Sequence, residues 1–311
     1  MSQNELHVIF GTGALGKWTA RELVRLGKPV RMVSHSGKAD SRIPSGVEVV
    51  NGDAYDLNKN IEVTNGATAV YQCAQPLYHE WVEKFPLMQK AILDAVAANG
   101  AKFIVGDNLY MYGDTNGKTI HEDLPYQPHA KKGKVRGEMA TVVMEAHRAG
   151  KVRAAIGRAS NFFGPDDNAV TNFAIRPALE GKAINLLGRM DQPHSFSYIA
   201  DFGKLLAALG THDEALGQIW FTPSPAPVTQ NELVEIMEEE LGHKVKVLAA
   251  GKMMLSFIGL FNPTVRESVE MLYEWDKPFI MDSSKAEKVF GWKGTSLNDA
   301  MRATIEWCKE N

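Results

Sequence analysis

Apolar and polar positions alternate in blocks along the first half of the chain. A short apolar run, HVIF at 7–10, stops at glycines; a helical spacing follows through Leu15, Trp18, Leu23, Val24 and Leu26, closed by Gly27. PVRMVS at 29–34, VEVVNGD at 47–53 and ATAVYQCA at 67–74 read as further strands. Residues 86–98 have helical spacing and stop at Gly100, and KFIVGD at 102–107 reads as a fifth strand. Glu138, Met139, Val142, Val143 and Ala146 line one face of another helix, ended near Gly150, before a sixth strand, VRAAIGRAS, at 152–160. Strands that alternate with helices predict βαβ units: an α/β fold with a doubly wound parallel sheet and helices on both faces.

The pattern loosens after about Gly164. AINLLG at 183–188 reads as a strand, 230–241 as an acidic helix, and KVKVL at 244–248 as a strand after it. The expected organisation is a nucleotide-binding domain over 1–165 and a smaller α/β substrate region over 166–311, with about 195–225 returning to the core. No internal repeat or low-complexity segment interrupts it.

Composition narrows the class. The 311 residues are 44% hydrophobic, enough to bury a sizeable core, and carry a formal charge of −3, which gives no general attraction to nucleic acid or to an anionic membrane. Two cysteines, Cys73 and Cys308, make no disulfide framework and fit a reducing cytoplasm. The opening MSQNELHVIFGTG has no basic region followed by a long apolar stretch, and the longest apolar run, MMLSFIGLF at 253–261, is far short of the roughly 20 residues that cross a bilayer. A cytoplasmic protein is expected. The nine histidines are scattered, and HEW at His79 lacks the second histidine of a zinc helix, so no metal site is expected.

The glycines after the first strand carry the clearest chemistry. GTGALG at 11–16 matches G-x-G-x-x-G between a predicted strand and a predicted helix. Gly11 allows a tight turn, Gly13 lets the backbone approach a pyrophosphate, and Gly16 lets helix and strand pack closely; Ala14 and Leu15 open the helix whose N–H groups face the phosphates. This is the loop of a Rossmann sheet. At the end of the second strand, SHSGKAD offers Ser34, His35, Ser36 and Lys38, hydroxyls and a cation that suit a 2′-phosphate, so NADP is expected before NAD. Asp40 is the acid most able to reverse that preference. Asp53, with Ala54 beside it, is placed to accept from an adenine amino group or to cap the next helix. Cys73, Ala74 and Gln75 end the fourth strand, where small residues let a cofactor lie close.

Further motifs fall in a recognisable order: NLYMYG at 108–113, EDLPYQP with KGKVRGE at 122–138, GRASNFFGP at 157–165, FSYIADF at 196–202, TQNELVEIMEEELG at 229–242 and SSKAEKVFGW at 283–292. Together with GTGALG they resemble the extended short-chain dehydrogenase/reductase superfamily, its NAD(P)-dependent epimerase/dehydratase group, over nearly the whole chain. The resemblance implies hydride transfer between a carbinol carbon and a nicotinamide. It also implies a tyrosine that exchanges the hydroxyl proton, a lysine four residues later on the same helix face, and a serine or threonine on the substrate oxygen. This chain departs at all three places: Lys132 stands at the tyrosine position, Arg136 at the lysine position and Asn108 at the serine position.

The replacements remain chemically usable. A lysine is a competent general acid or base in a desolvated, cationic place, and the isoflavone-reductase-like branch of the superfamily uses one in that sense. Lys132 is therefore assigned to catalysis, to ribose or phosphate binding, or to an exposed KKGK face. Arg136 cannot lose its proton and can only bind ribose or hold charge; Asn108 can donate an amide N–H to a substrate oxygen. Asn161, Phe162 and Tyr110 are the expected substrate contacts, and His129 a further acid. The apolar and aromatic segment 253–275 reads as a substrate lid, a homodimer contact or core of the small region. The expected function is NADP-dependent oxidation or reduction of a small, apolar or aromatic carbonyl, enone or alcohol. An NAD(P)-dependent epimerase or isomerase, and a non-enzymatic NADP-binding redox regulator, are the alternatives.

Overall fold

In the computed structural model of the chain, residues 5–167, 170–251, 255 and 269–311 are described. The predicted alternation is realised. Strands β1 (Leu6–Phe10), β2 (Val30–Ser34), β3 (Glu48–Asn51), β4 (Ala67–Gln72), β5 (Lys102–Asp107) and β6 (Arg153–Arg158) are separated by helices α1 (Ala14–Arg25), α2 (Leu57–Val63), α3 (Trp81–Asn99) and α4 (Lys131–Arg148). They are followed by β7 (Asn161–Phe163), α5 (Arg176–Leu179), β8 (Ile184–Leu187), β9 (Phe196–Tyr198), α6 (Ile199–Thr211) and β10 (Ile219–Phe221). The chain closes with α7 (Gln230–Leu241), β11 (Val247–Ala250), α8 (Tyr273–Asp276), α9 (Ser284–Phe290) and α10 (Leu297–Glu310).

The chain divides into two compact units, each drawn from three stretches: 1–108, 135–158 and 202–220 form the first; 109–134, 159–201 and 221–311 form the second. In the first, a seven-stranded sheet runs β10-β6-β5-β4-β1-β2-β3, and the pairs from β3 across to β6 are parallel. Parallel strands covered on both faces read as nearly continuous apolar runs, and β1, β4 and β5 are buried at almost every position. The strand order reverses between β1 and β4, which places the carboxyl ends of these two strands at the switch point where such sheets bind ligands.

The second unit has two small parallel pairs, β7 with β9 and β11 with β8. Its core gathers Phe163, Ile175, Ile184, Leu233, Met237, Met301 and Ile305. α7 is closed at both ends by local chemistry: Thr229 and Glu232 form a reciprocal capping box, and Gly242 takes the left-handed conformation after the last turn.

Element boundaries moved in several places. α4 starts at Lys131, a full two turns before the apolar face visible from Glu138, because Lys132 and Arg136 turn inward. α3 starts at Trp81 and runs through Pro86, which forgoes one backbone bond inside the helix. α6, which the sequence reading did not mark as a helix, carries Ile199, Phe202, Leu205, Leu206 and Leu209 at helical spacing, and all five are buried. The expected 244–248 strand begins at Val247. Of 253–275, only Leu255 and 269–275 are described, so the expected lid or dimer contact lies largely outside the described residues.

Gly210 of α6 supplies a test of the packing under the sheet. An added Cβ would lie 1.8 Å from the hydroxyl of Tyr71, which is bonded to His7 Nδ1 at 2.7 Å. Alanine in an exposed helix would add about 1 kcal/mol. Here Gly210→Ala is expected to lower stability by about 1–3 kcal/mol, read as a fall in the denaturant midpoint. An unchanged midpoint would show that the site yields freely.

Candidate dinucleotide and substrate sites

The turn after β1 is shaped by two positions where only hydrogen fits. Gly11 has φ +108°, and a Cβ on it would lie 2.8 Å from the Ala74 nitrogen. A Cβ on Gly16 would lie 2.0 Å from the Gly11 carbonyl oxygen. Both obstacles are backbone, so neither can swing away. The chain holds this arrangement with Gly11 N–H donating to Val33 O at 3.0 Å and Cys73 N–H to Phe10 O at 3.0 Å. Gly13 is the N-cap of α1 and offers no side chain to its first turn. Backbone donors at that helix end, with the helix dipole behind them, fit a diphosphate. Cys73 and Ala74 run alongside. The Cys73 thiol lies 3.9 Å from Thr19 Oγ1, and loss of solvent pushes it up to about 12, so it is no thiolate nucleophile at neutral pH. Gln75 is exposed, while Gln72 before it is buried with neither amide atom hydrogen-bonded.

At the end of β2, Ser34 Oγ accepts from Gly37 N at 3.1 Å and Ser36 Oγ from Lys38 N at 3.2 Å; His35, Ser36 and Lys38 are exposed. Asp40 is already engaged. Its carboxylate lies 2.8 Å from Lys17 Nζ and 3.3 Å from Arg42 Nη2. Partial burial works to raise it, but the bonds from Lys17 and the Arg42 backbone hold it below its ordinary value. Asp53 accepts from Tyr55 N at 3.0 Å, whereas the cap of α2 is Asp56, whose side chain accepts from Lys59 N. Ala54 presents its carbonyl to Asn60 Nδ2 at 2.9 Å.

Within the first unit, Arg136 and Asn108 converge on one carboxylate. Asp107, at the end of β5, is bonded by Arg136 through Nε at 2.8 Å and through Nη2. It also takes Arg158 Nε at 3.0 Å and the Asn108 N–H at 2.9 Å. The Arg136 guanidinium lies 4.5 Å over Phe85 and bonds Gly106 O at 3.2 Å. Arg136 thus spends Nε and Nη2 on the sheet, while its buried Nη1 makes no hydrogen bond.

The second unit holds Lys132, Tyr110, Asn161 and Phe162. Lys132 is 1% exposed, which removes the reading of a solvated KKGK face at this residue. Glu270 meets the start of α4: Oε2 accepts from Lys131 N at 3.0 Å, Oε1 from Lys132 N at 3.4 Å, and Oε1 lies 3.7 Å from Lys132 Nζ. One carboxylate therefore caps the helix and faces the buried ammonium. Tyr110 comes beside the same turn, since a Cβ on Gly133 would lie 2.4 Å from its carbonyl oxygen. His129 packs edge-on against Tyr273, ring centroids 4.5 Å apart. Phe162 is half-buried, and Phe163 behind it is core.

Asn161 belongs to a polar cluster that the sequence did not announce. Its Nδ2 lies 3.2 Å from His194 Nε2 and 3.4 Å from Glu274 Oε2, and His194 Nδ1 lies 3.1 Å from the Glu274 carbonyl. Glu274 is buried, and its Oε1 has no hydrogen bond. Burial raises its carboxyl to about 8, against a smaller lowering by Asn161, and burial pulls His194 down to about 4. The sole sequence signal was the position of Asn161 in GRASNFFGP; Glu274 and His194 carry no motif. Among the described residues no helix is long and apolar enough to cross a membrane, and no His, Cys, Asp and Glu group is arranged for a metal.

The sequence pattern of the NAD dependent epimerase/dehydratase family matches residues 8–220. A UDP-glucuronate 4-epimerase of Thermodesulfobacterium geofontis is 27% identical over 206 residues, covering 62% of this chain and 54% of that protein. The 3beta-hydroxysteroid-dehydrogenase/decarboxylase isoform 1 of Arabidopsis thaliana is 22% identical over 294 residues, covering 84% and 66%. The chain thus spans between about half and two thirds of the length of the curated relatives it matches. Among solved structures, DesIV, a dTDP-glucose 4,6-dehydratase from Streptomyces venezuelae with NAD and TYD bound, superposes with TM-score 0.79 at 18% identity, covering 98% of this chain and 97% of that one. That likeness is one of fold.

Glu274 makes the protein's stability pH-dependent with a definite sign. Its carboxyl holds a proton more tightly folded than unfolded, where the value is 4.5. Its contribution is whole below about pH 4.5 and is lost as pH rises through about 8. His7 and His194, both lowered to about 4, contribute oppositely: their share is present above 6.5 and lost as pH falls through about 4. Wild-type melting temperature should therefore decline between about pH 6.5 and 8, and Glu274→Gln should flatten that decline. An equal decline in the variant would mean the carboxyl does not titrate there.

Proposed function

The chain belongs to the NAD dependent epimerase/dehydratase family, and from that premise we propose that it is a dinucleotide-dependent enzyme acting on a carbonyl or carbinol of a small molecule. The observation that carries the reading is the turn at 11–16, where two Cβ-free positions and an uncapped helix leave a cradle for a diphosphate. A bound dinucleotide would supply the acceptor or donor of hydride.

The chain's own residues supply the rest. The amides of the 11–16 turn hold the diphosphate, and Ala74 leaves room beside it. Lys132 holds or delivers the proton at Nζ, which lies 3.7 Å from Glu270 Oε1. Asn108, its backbone tied to Asp107, directs its side-chain amide to the substrate oxygen. Arg136, pinned to Asp107 over Phe85, exchanges no proton and holds charge. Oxidation or reduction is the first reading. Epimerisation or dehydration is the second, favoured by the family and by the named activities of the relatives.

For the cofactor, the family description and the neighbour solved with it speak for NAD. The NADP reading rests on Ser34, His35, Ser36 and Lys38, beside which Asp40 is already paired with Lys17 and Arg42. Titration of both dinucleotides decides between them. A preference for NADP of about tenfold, equivalent to about 1.4 kcal/mol, that Lys38→Ala abolishes supports the phosphate reading; equal or tighter NAD binding removes it.

Turnover of the reduced dinucleotide with a carbonyl panel tests the chemistry. Lys132→Met is expected to lose about 10²-fold or more of the rate with dinucleotide affinity retained. Unchanged turnover would remove Lys132 from the mechanism. Dinucleotide binding with no turnover of any carbonyl, sugar nucleotide or hydroxysteroid would favour the regulator.

A further inference from the structure

We infer that the group a ligand presents to Asn161 is a neutral hydrogen-bond donor, a hydroxyl or an N–H, and that phosphate and carboxylate are refused there. The inference rests on the substrate-binding role proposed for Asn161 and adds the polarity of what it binds.

The argument begins at a backbone carbonyl. The Glu274 carbonyl oxygen can only accept, and His194 Nδ1 lies 3.1 Å from it, so Nδ1 carries the proton. Burial keeps the imidazole neutral at ordinary pH. Nε2 then holds a lone pair and needs a donor, which Asn161 Nδ2 supplies at 3.2 Å. The second Nδ2 proton faces Glu274 Oε2, at a longer 3.4 Å. Both amide protons of Asn161 are committed. Its Oδ1 makes no hydrogen bond to any described residue, while the side chain remains partly exposed. Turning the amide over would set Oδ1 against the lone pair of His194 Nε2.

His194 cannot relieve this by rotating. Its ring stacks on Trp275 with centroids 4.2 Å apart at 5°, and Phe279 lies 5.3 Å away. Its backbone exchanges bonds with Val228 at 2.9 and 3.1 Å. The face left to a ligand is a carbonyl oxygen, which attracts O–H or N–H and repels an anionic oxygen.

Nitrogen-15 spectra of the dinucleotide-loaded protein, labelled on histidine and asparagine, test this without reference to turnover. His194 should be neutral with its proton on Nδ1 between about pH 5.5 and 8, and inorganic phosphate should leave the Asn161 side-chain amide signals in place. In His194→Phe, which keeps an aromatic ring and releases one amide proton, phosphate should shift those signals. In Asn161→Asp, His194 should gain a second proton near neutral pH. A wild-type His194 protonated on Nε2, or a wild-type Asn161 amide that shifts with phosphate, overturns the inference; so does a His194→Phe protein in which phosphate shifts nothing. Loss of dinucleotide binding would instead sink the enzyme reading while leaving the wild-type tautomer measurable.

Discussion

The carboxylate of Asp107 is the tie on which the arrangement of the first unit depends. It ends β5 and receives Arg136 from α4, Arg158 from β6 and the Asn108 N–H. A buried carboxylate between guanidinium groups is costly to assemble and costly to disturb, since removing one member leaves unpaired charge in a place without water. The benefit is positional. The tie joins α4 to the ends of β5 and β6. Asn108, the first residue past the strand, leaves it from a fixed backbone. Arg136 is planar and always charged, so it can stack on Phe85 and hold two oxygens at once.

The second unit is organised by carboxylates of another kind, both from a single stretch of chain. Glu270 caps α4 and faces the Lys132 ammonium; Glu274, four residues on, stands against Asn161. The two differ in surroundings and hence in chemistry. Glu270 is partly exposed and accepts from two N–H groups at the start of α4. Glu274 is buried, has one oxygen without a partner and is pushed toward its neutral form. One carboxylate caps a helix, while the other shapes the polarity of an amide.

Much of this was legible in the chain, and the missing part has a common cause. Apolar runs at 7–10, 29–34, 67–74 and 102–107 are readable as buried parallel strands because both faces of such strands demand apolar side chains. GTGALG is readable because steric exclusion at Gly11 and Gly16 acts on the residue itself. KKGK was misleading: a charge run normally marks a solvated face, yet Lys132 is fully buried. Nothing local distinguishes it from Lys131 beside it, which is exposed. The early start of α4 was hidden for the same reason, since its first inward residues are cations rather than apolar ones.

By itself, then, the sequence determined the alternation of strands and helices, the parallel sheet and the glycine turn at its switch point, because those follow from neighbours a few residues apart. Tertiary structure alone decided which polar groups are partnered, and therefore what they can do. Lys131 and Lys132 meet a carboxylate 139 and 138 residues away, Asn161 one that is 113 away, and His194 a carbonyl 80 away. The proton on His194 and the direction of the Asn161 amide are consequences of those distant meetings, since a hydrogen bond has a donor side and an acceptor side only once both groups are in place.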